Sequence, residues 1–329
     1  MDLQLGRAFN IVSQTMPYIL YRAMIYGALC GAMLVYLAVL GLIGAVFGSG
    51  AFLVLLVLSA GAGAMLGVGR LLGEYFLYLL KAGHIALITE IITQGTLPEG
   101  INQTEWGKER VKHYFKELSV LSLVDQLLKG IIGVLNRTLF DVMTILPIPG
   151  VEGAAKFSQR IVDFSLTYVD ESIIAYTFKT KNENVFDAAK TGIVLYAQAW
   201  KSVLKNAVAL TLLSYAFVFA CTVLWLVPFG VLSLLLPATW TTTKFILFIL
   251  ALFLGFSCKW ILFDPIACTS TILTFLKEAD STEPDPEWEA RIEQACDKFR
   301  ELKDKAAQKF QEMSGRPGEA PEAREADPQ

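Results

Sequence analysis

The sequence predicts an all-α integral membrane protein: two transmembrane helical hairpins, a long helical section between them and an amphipathic helix near the C-terminal end. Three observations predict it. Charged residues make up 18% of the 329 positions and hydrophobic ones 54%, with a mean hydropathy of +0.50, whereas soluble domains carry about 25% charged residues. The shortfall is concentrated in four apolar runs, each long enough to cross a hydrocarbon core of ~30 Å, which takes about 20 helical residues. Lys and Arg lie almost wholly outside those runs or at their ends.

In chain order, residues 1–17 form an amphipathic lead-in and residues 18–80 the first hairpin. Its two runs, Tyr18 to Phe47 and Phe52 to Leu80, are separated only by a Gly48-Ser49-Gly50 connection. The first run starts after Met16-Pro17-Tyr18 and lacks an A-x-A site behind a short h-region, so it reads as a span and not as a cleaved signal peptide. Residues 81–206 are helical by pattern, with Leu121, Val124, Leu127, Leu128, Ile131 and Ile132 at helical spacing. Pro147-Ile148-Pro149-Gly150 is the clearest break, and Asn182-Glu183-Asn184 caps a helix from Val185. Whether residues 120–146 lie in the cytoplasm, on the membrane surface or dip into it is left open by the pattern.

The second hairpin, residues 207–276, joins Ala207 to Leu236 and Phe245 to Leu276 through a segment containing Pro237-Ala238-Thr239-Trp240. Two hairpins place both termini and the middle section on one side. Excess Lys and Arg marks that side as cytoplasmic, in the cell (inner or plasma) membrane. The sequons at Asn102 and Asn136 then stay unmodified. At 1.5 Å per residue, a span starting near Trp240 reaches the headgroups around Lys259. Trp260 to Leu276 is therefore expected to continue as apolar helix outside the bilayer, buried against the middle section.

Residues 277–313 read as an amphipathic tail helix in which Trp288, Ile292, Ala295, Phe299, Leu302, Ala306 and Met313 hold a heptad-like seam. Such a stripe either packs on its own chain, or joins a second copy, or receives a cytoplasmic protein partner through residues 288–313. Residues 314–329, rich in Pro, Glu, Gly and Ala, read as disordered.

Two constellations draw attention. Gly27 and Gly31, then Gly63 and Gly67, and Gly69 and Gly73, repeat GxxxG, a spacing that lets helix backbones approach closely in lipid. The second is a polar cluster: Arg70 and Glu74 at i, i+4, with Lys259 and Asp264 in the fourth run and Pro265 following. Charges in hydrocarbon are rare, and paired or functional. Pairing across the hairpins, Arg70 with Asp264 and Glu74 with Lys259, would neutralise all four. Pro265 removes an intrahelical donor beside a carboxylate, as in the broken helices that build transporter sites. At the headgroup level the same four residues would be ordinary anchors.

Catalytic and metal residues are not found. Asp163, Asp170 and Glu171 with His84 and Glu90 match no ligand spacing, and solvated helix faces look the same. GxSxG, HExxH and a Walker loop are absent. Cys30, Cys221, Cys258, Cys268 and Cys296 form no CxxC pair and read as reduced thiols. No cofactor is expected, and a net charge of −3 gives nucleic acid no basis as a partner.

From Asn184 to Asp280 the chain resembles the C-terminal part of choline-transporter-like proteins. The resemblance rests on the Asn-led Asn184-Val185-Phe186-Asp187-Ala188-Ala189-Lys190, the run from Ala197 to Ala207 that precedes two final spans, and Leu273-Thr274-Phe275-Leu276-Lys277-Glu278. Members of that family have more spans than the four read here, so neither a substrate nor a site residue is carried over.

Together these readings favour a non-enzymatic protein of transporter or permease type, its substrate open. It would be homo-oligomeric, since four spans rarely enclose a pathway. Its rival is a membrane-anchored scaffold that recruits a cytoplasmic partner, and a third alternative is a lipid-interacting protein that lays its middle helices in the interface.

Overall fold

A computed structural model describes residues 3–47, 61, 67, 78–114, 169–238, 241–295 and 297–314. All regular structure among them is helical. In chain order the helices are α1 (Leu5–Gln14), α2 (Met16–Phe47), α3 (Tyr78–Gln94), α4 (Gln103–Tyr114), α5 (Val169–Thr180), α6 (Val185–Gln198), α7 (Trp200–Leu235) and α8 (Thr241–Cys258). A π-turn (Lys259–Phe263) then leads into α9 (Asp264–Asp280), followed by α10 (Pro286–Ala295) and α11 (Asp297–Ser314).

Three stretches among the described residues are long and apolar enough to cross a membrane: Met16–Tyr36, Lys205–Leu235 and Thr243–Asp280. They match three of the four runs read from the sequence. The fourth, Phe52 to Leu80, lies largely outside the described residues, as do the connection at 48–50 and residues 120–146. The side chains on the three stretches fit a hydrocarbon surround. Leu20, Met24 and Val35 on α2, Phe219, Leu224 and Leu234 on α7, and Phe245 and Phe248 on α8 are all exposed, a concentration of apolar surface that a water-soluble monomer does not tolerate. α7 and α8 pack side by side and approach closely where Gly255 meets Thr222: a Cβ at 255 would overlap the Thr222 hydroxyl.

The protein core lies elsewhere. α9 is the central rod of a second region, and its residues from Ala267 to Leu276 are all buried among α1, α5, α6 and the start of α7. Of the run Trp260 to Leu276, the part from Ala267 onward thus buries within the protein, whereas Leu262 stays exposed. α9 also carries buried hydroxyls. Thr269, Thr271 and Thr274 each donate to the carbonyl four residues back, which satisfies them without water. Asn206 Nδ2 donates to Thr274 Oγ1 (2.8 Å) and Ser202 Oγ donates to Glu278 Oε1 (2.8 Å), tying the first turns of α7 to α9. Past Ser214 no residue of α7 is buried.

The tail docks on this region. Ile292, Phe299, Leu302 and Ala306 of the heptad-like seam are buried, chiefly against α6. Asn184 does two jobs: its Oδ1 caps α6 by accepting from the Asp187 N–H (3.2 Å), and its Nδ2 donates to the Ala306 carbonyl (2.7 Å). The tail is two helices and not one rod. Lys303 reaches both Glu289 (3.4 Å) and Glu293 (2.8 Å), whereas a straight helix would hold residues 289 and 303 about 21 Å apart. Met313, at the far end of the seam, stays exposed, as does Phe310 beside it.

Candidate functional site

Among the described residues, charged and polar side chains meet on the spans where α2 and the π-turn adjoin the buried region. The frame is one face of α2, Tyr18, Arg22 and Tyr26 at four-residue spacing, which a helix stacks in one stripe. Each of the three engages a different partner.

Tyr26 stacks on Trp260 within the π-turn (ring centroids 5.3 Å apart). Beside it, Arg22 Nη1 donates to the Trp260 carbonyl (3.4 Å). That carbonyl needs an outside donor. The Asp264 N–H, which would bond to it in an α-helix, instead bonds to the Lys259 carbonyl, and Pro265, the next residue, has no N–H. Lys259 Nζ and Asp264 Oδ1 pair at 2.8 Å, their side chains only 18% and 20% exposed. Pro265 occupies the first turn of α9, where its missing donor costs least.

Tyr18 stacks face to face on His84 of α3, at 4.9 Å with 5° between ring planes. Gly83 and Gly107 make room for it: a Cβ at either position would run into the Tyr18 hydroxyl, and at 107 also into the Gly83 carbonyl. His84 is buried, with Nε2 2.7 Å from Thr15 Oγ1. Thr15 Oγ1 donates to the Val12 carbonyl (2.9 Å), so its single proton is spent there and the imidazole donates from Nε2. Burial, and then the Arg22 charge, hold the His84 pKa well below the usual imidazole value, which keeps the ring neutral at physiological pH.

One turn before His84, Lys81 pairs with Glu171 of α5, whose carboxylate is fully buried. A buried carboxylate is tolerated only with a partner of this kind. The α2 stripe spans both groups: Tyr18 rests on His84, one turn from Lys81, and Arg22 and Tyr26 reach Trp260, next to Lys259, so the two ion pairs and the arginine form one belt along α2.

Of the residues singled out from sequence, Lys259, Asp264 and Pro265 come together here, and the pair that forms lies within one helix. Arg70 and Glu74, and with them the expected pairing across hairpins, lie outside the described residues, as do Gly63, Gly69 and Gly73. Gly27, Gly31 and Gly67 are exposed, and among the described residues no atom lies within 4 Å of a Cβ built on them. Glu171 and His84 sit in the belt as a paired acid and a neutral core base. No group of three or more His, Cys, Asp or Glu side chains that could hold a metal forms among the described residues.

The comparisons are silent. No protein family, no curated protein and no solved structure matches the chain.

Arg22, Tyr26 and Lys81 were missed at the level of sequence, and one signal could have found them. Arg22 is the lone charge in Met16–Phe47, flanked at four residues on each side by tyrosine.

Proposed function

We propose that this is a polytopic membrane protein of transporter or permease type, non-enzymatic, in which the belt around Lys259, Asp264, Arg22 and Tyr26 is the working part. The carrying observation is the π-turn: a broken helix with an ion pair at the point where the third candidate span passes from lipid contact into protein. Helix breaks of this kind concentrate at functional sites, and in transporters they expose backbone carbonyls beside charged groups. In this reading a fourth span lies within residues 52–80, both termini face the cytoplasm, and a second copy completes the pathway.

Sided labelling tests it. Single cysteines at Lys259 and Asp264 in a cysteine-free background are exposed to membrane-impermeant thiol reagents in right-side-out and inverted vesicles. Reaction from both sides is expected. Reaction from the cytoplasmic side alone would make these residues interfacial anchors and reject the transport reading.

A scaffold is the second reading, favoured by the docked tail. Most of its seam is used within the chain, and Met313 with the neighbouring Phe310 is the exposed apolar surface left for a partner.

A further inference from the structure

We infer that Lys259–Phe263 is a register switch: a π-turn held closed by the Lys259–Asp264 pair and by Arg22, which opens into α-helix when the pair is broken and turns α8 about its axis relative to α9. The inference stands on helix geometry and holds whether or not a solute crosses.

The two registers differ in one backbone proton. In the structure the Asp264 N–H bonds to the Lys259 carbonyl, five residues back. In the α register it would bond to the Trp260 carbonyl, four back. That carbonyl is the one Arg22 now serves, so the Asp264 N–H and the Arg22 guanidinium compete for it. The side chains follow the backbone. Residues five apart on an α-helix point about 140° apart at 3.6 residues per turn, too far round for Lys259 to reach Asp264. A turn closed by an i→i+5 bond brings residue i+5 back over residue i, and the pair closes at 2.8 Å. The ion pair, the Arg22 contact and the π register therefore form and break together. Neutralising Asp264, or a cation competing with Lys259 for it, favours the α register.

The two flanks respond unequally. α9 is anchored on several helices by its buried face and by the bonds from Asn206 and Ser202, whereas α8 packs chiefly on α7 alone and turns Phe245, Phe248 and Phe256 outward. Gaining one α-residue turns α8 by about 100° and lengthens the rod by about 1.5 Å.

A natural reporter lies on the moving side. Cys258, the last residue of α8, lies one turn past Gly255, and Cys221 of α7 adjoins Thr222, so the close Gly255–Thr222 approach brings the two cysteines near each other in the α7–α8 seam. The rotation carries Cys258 away from it. The test uses the full-length chain in native membranes with Cys30, Cys268 and Cys296 replaced by serine. Copper-phenanthroline oxidation is followed by mass spectrometry of the Cys221–Cys258 disulfide. The parent should cross-link readily. Asp264→Asn and Lys259→Met should each cross-link roughly tenfold more slowly, because disulfide formation demands close Cα approach. The charge-exchanged double variant Lys259→Asp/Asp264→Lys should return to the parent rate, which separates register from misfolding. A parent that does not cross-link, single variants at the parent rate, or an exchanged pair as slow as the singles would each overturn the switch.

Discussion

α7 and α9 are both long apolar helices, and they solve opposite problems. Beyond Ser214, α7 presents Phe219, 72% exposed, with Leu224 and Leu234, and buries nothing. α9 buries Ile272, Phe275 and Leu276 almost completely, together with Thr269, Ser270, Thr271 and Thr274. Hydrocarbon accepts leucine and phenylalanine but offers nothing to a hydroxyl, whereas a protein interior can pair a threonine with a neighbouring carbonyl or an asparagine. Placement of Ser and Thr therefore separates a helix solvated by lipid from one solvated by protein better than hydropathy does.

Several substitutions would break or sharpen that contrast. The largest effect is expected at Phe275, fully buried and packed against Tyr196 and Tyr176. Phe275→Ala should destabilise by about 3–5 kcal/mol through the cavity it leaves, read as a lowered Tm in detergent. Phe219→Ala should stay within about 0.5 kcal/mol; equal losses at the two positions would erase the distinction between the helices. Lys81→Met comes next. It takes the lysine from the buried Glu171 carboxylate and should cost about 3 kcal/mol, and Lys81→Met/Glu171→Met should recover most of it. A double variant as unstable as the single would mean that the pair is not what makes Glu171 tolerable.

The smallest effect is a pH dependence. The folded-state pKa of His84 is depressed, so the unfolded chain binds the proton more readily. Its contribution is fully present above the unfolded value near 6.5 and is lost as pH falls below it, by about 1.4 kcal/mol per pH unit. Urea unfolding between pH 7.5 and 5.5 should show this slope in the parent and a flatter one in His84→Phe. Identical slopes would show that some other group titrates.

What could be read from sequence followed what survives averaging over a helix. Long apolar runs announce three of the spans, and the length excess after Lys259 announces that Trp260 to Leu276 must find protein to bury against. Lys259, Asp264 and Pro265 were legible because charge and proline are rare in such runs. Arg22 was not, because one charge among more than thirty apolar residues leaves the run's hydropathy unchanged and its partner, the Trp260 carbonyl, is a backbone group with no sequence signature. The π-turn was hidden for the same reason: Pro265 signals a missing donor but not which register the turn adopts. His84 found Thr15 and Tyr18 across 69 and 66 positions, separations at which local periodicity is blind. The tail seam keeps its spacing from α10 into α11, so the pattern predicts one helix where the chain folds two.

The central claim is that one continuous rod, Thr241 to Asp280, changes solvent at the π-turn. Site-directed spin labelling along it, one position at a time in liposomes, tests this most directly through collision rates with oxygen, which partitions into lipid. High oxygen accessibility with helical periodicity is predicted at Phe245, Phe248, Phe256 and Leu262, followed by uniformly low accessibility from Ala267 to Leu276. Oxygen accessibility that continues with the same periodicity past Ala267 would place α9 in lipid and contradict the account.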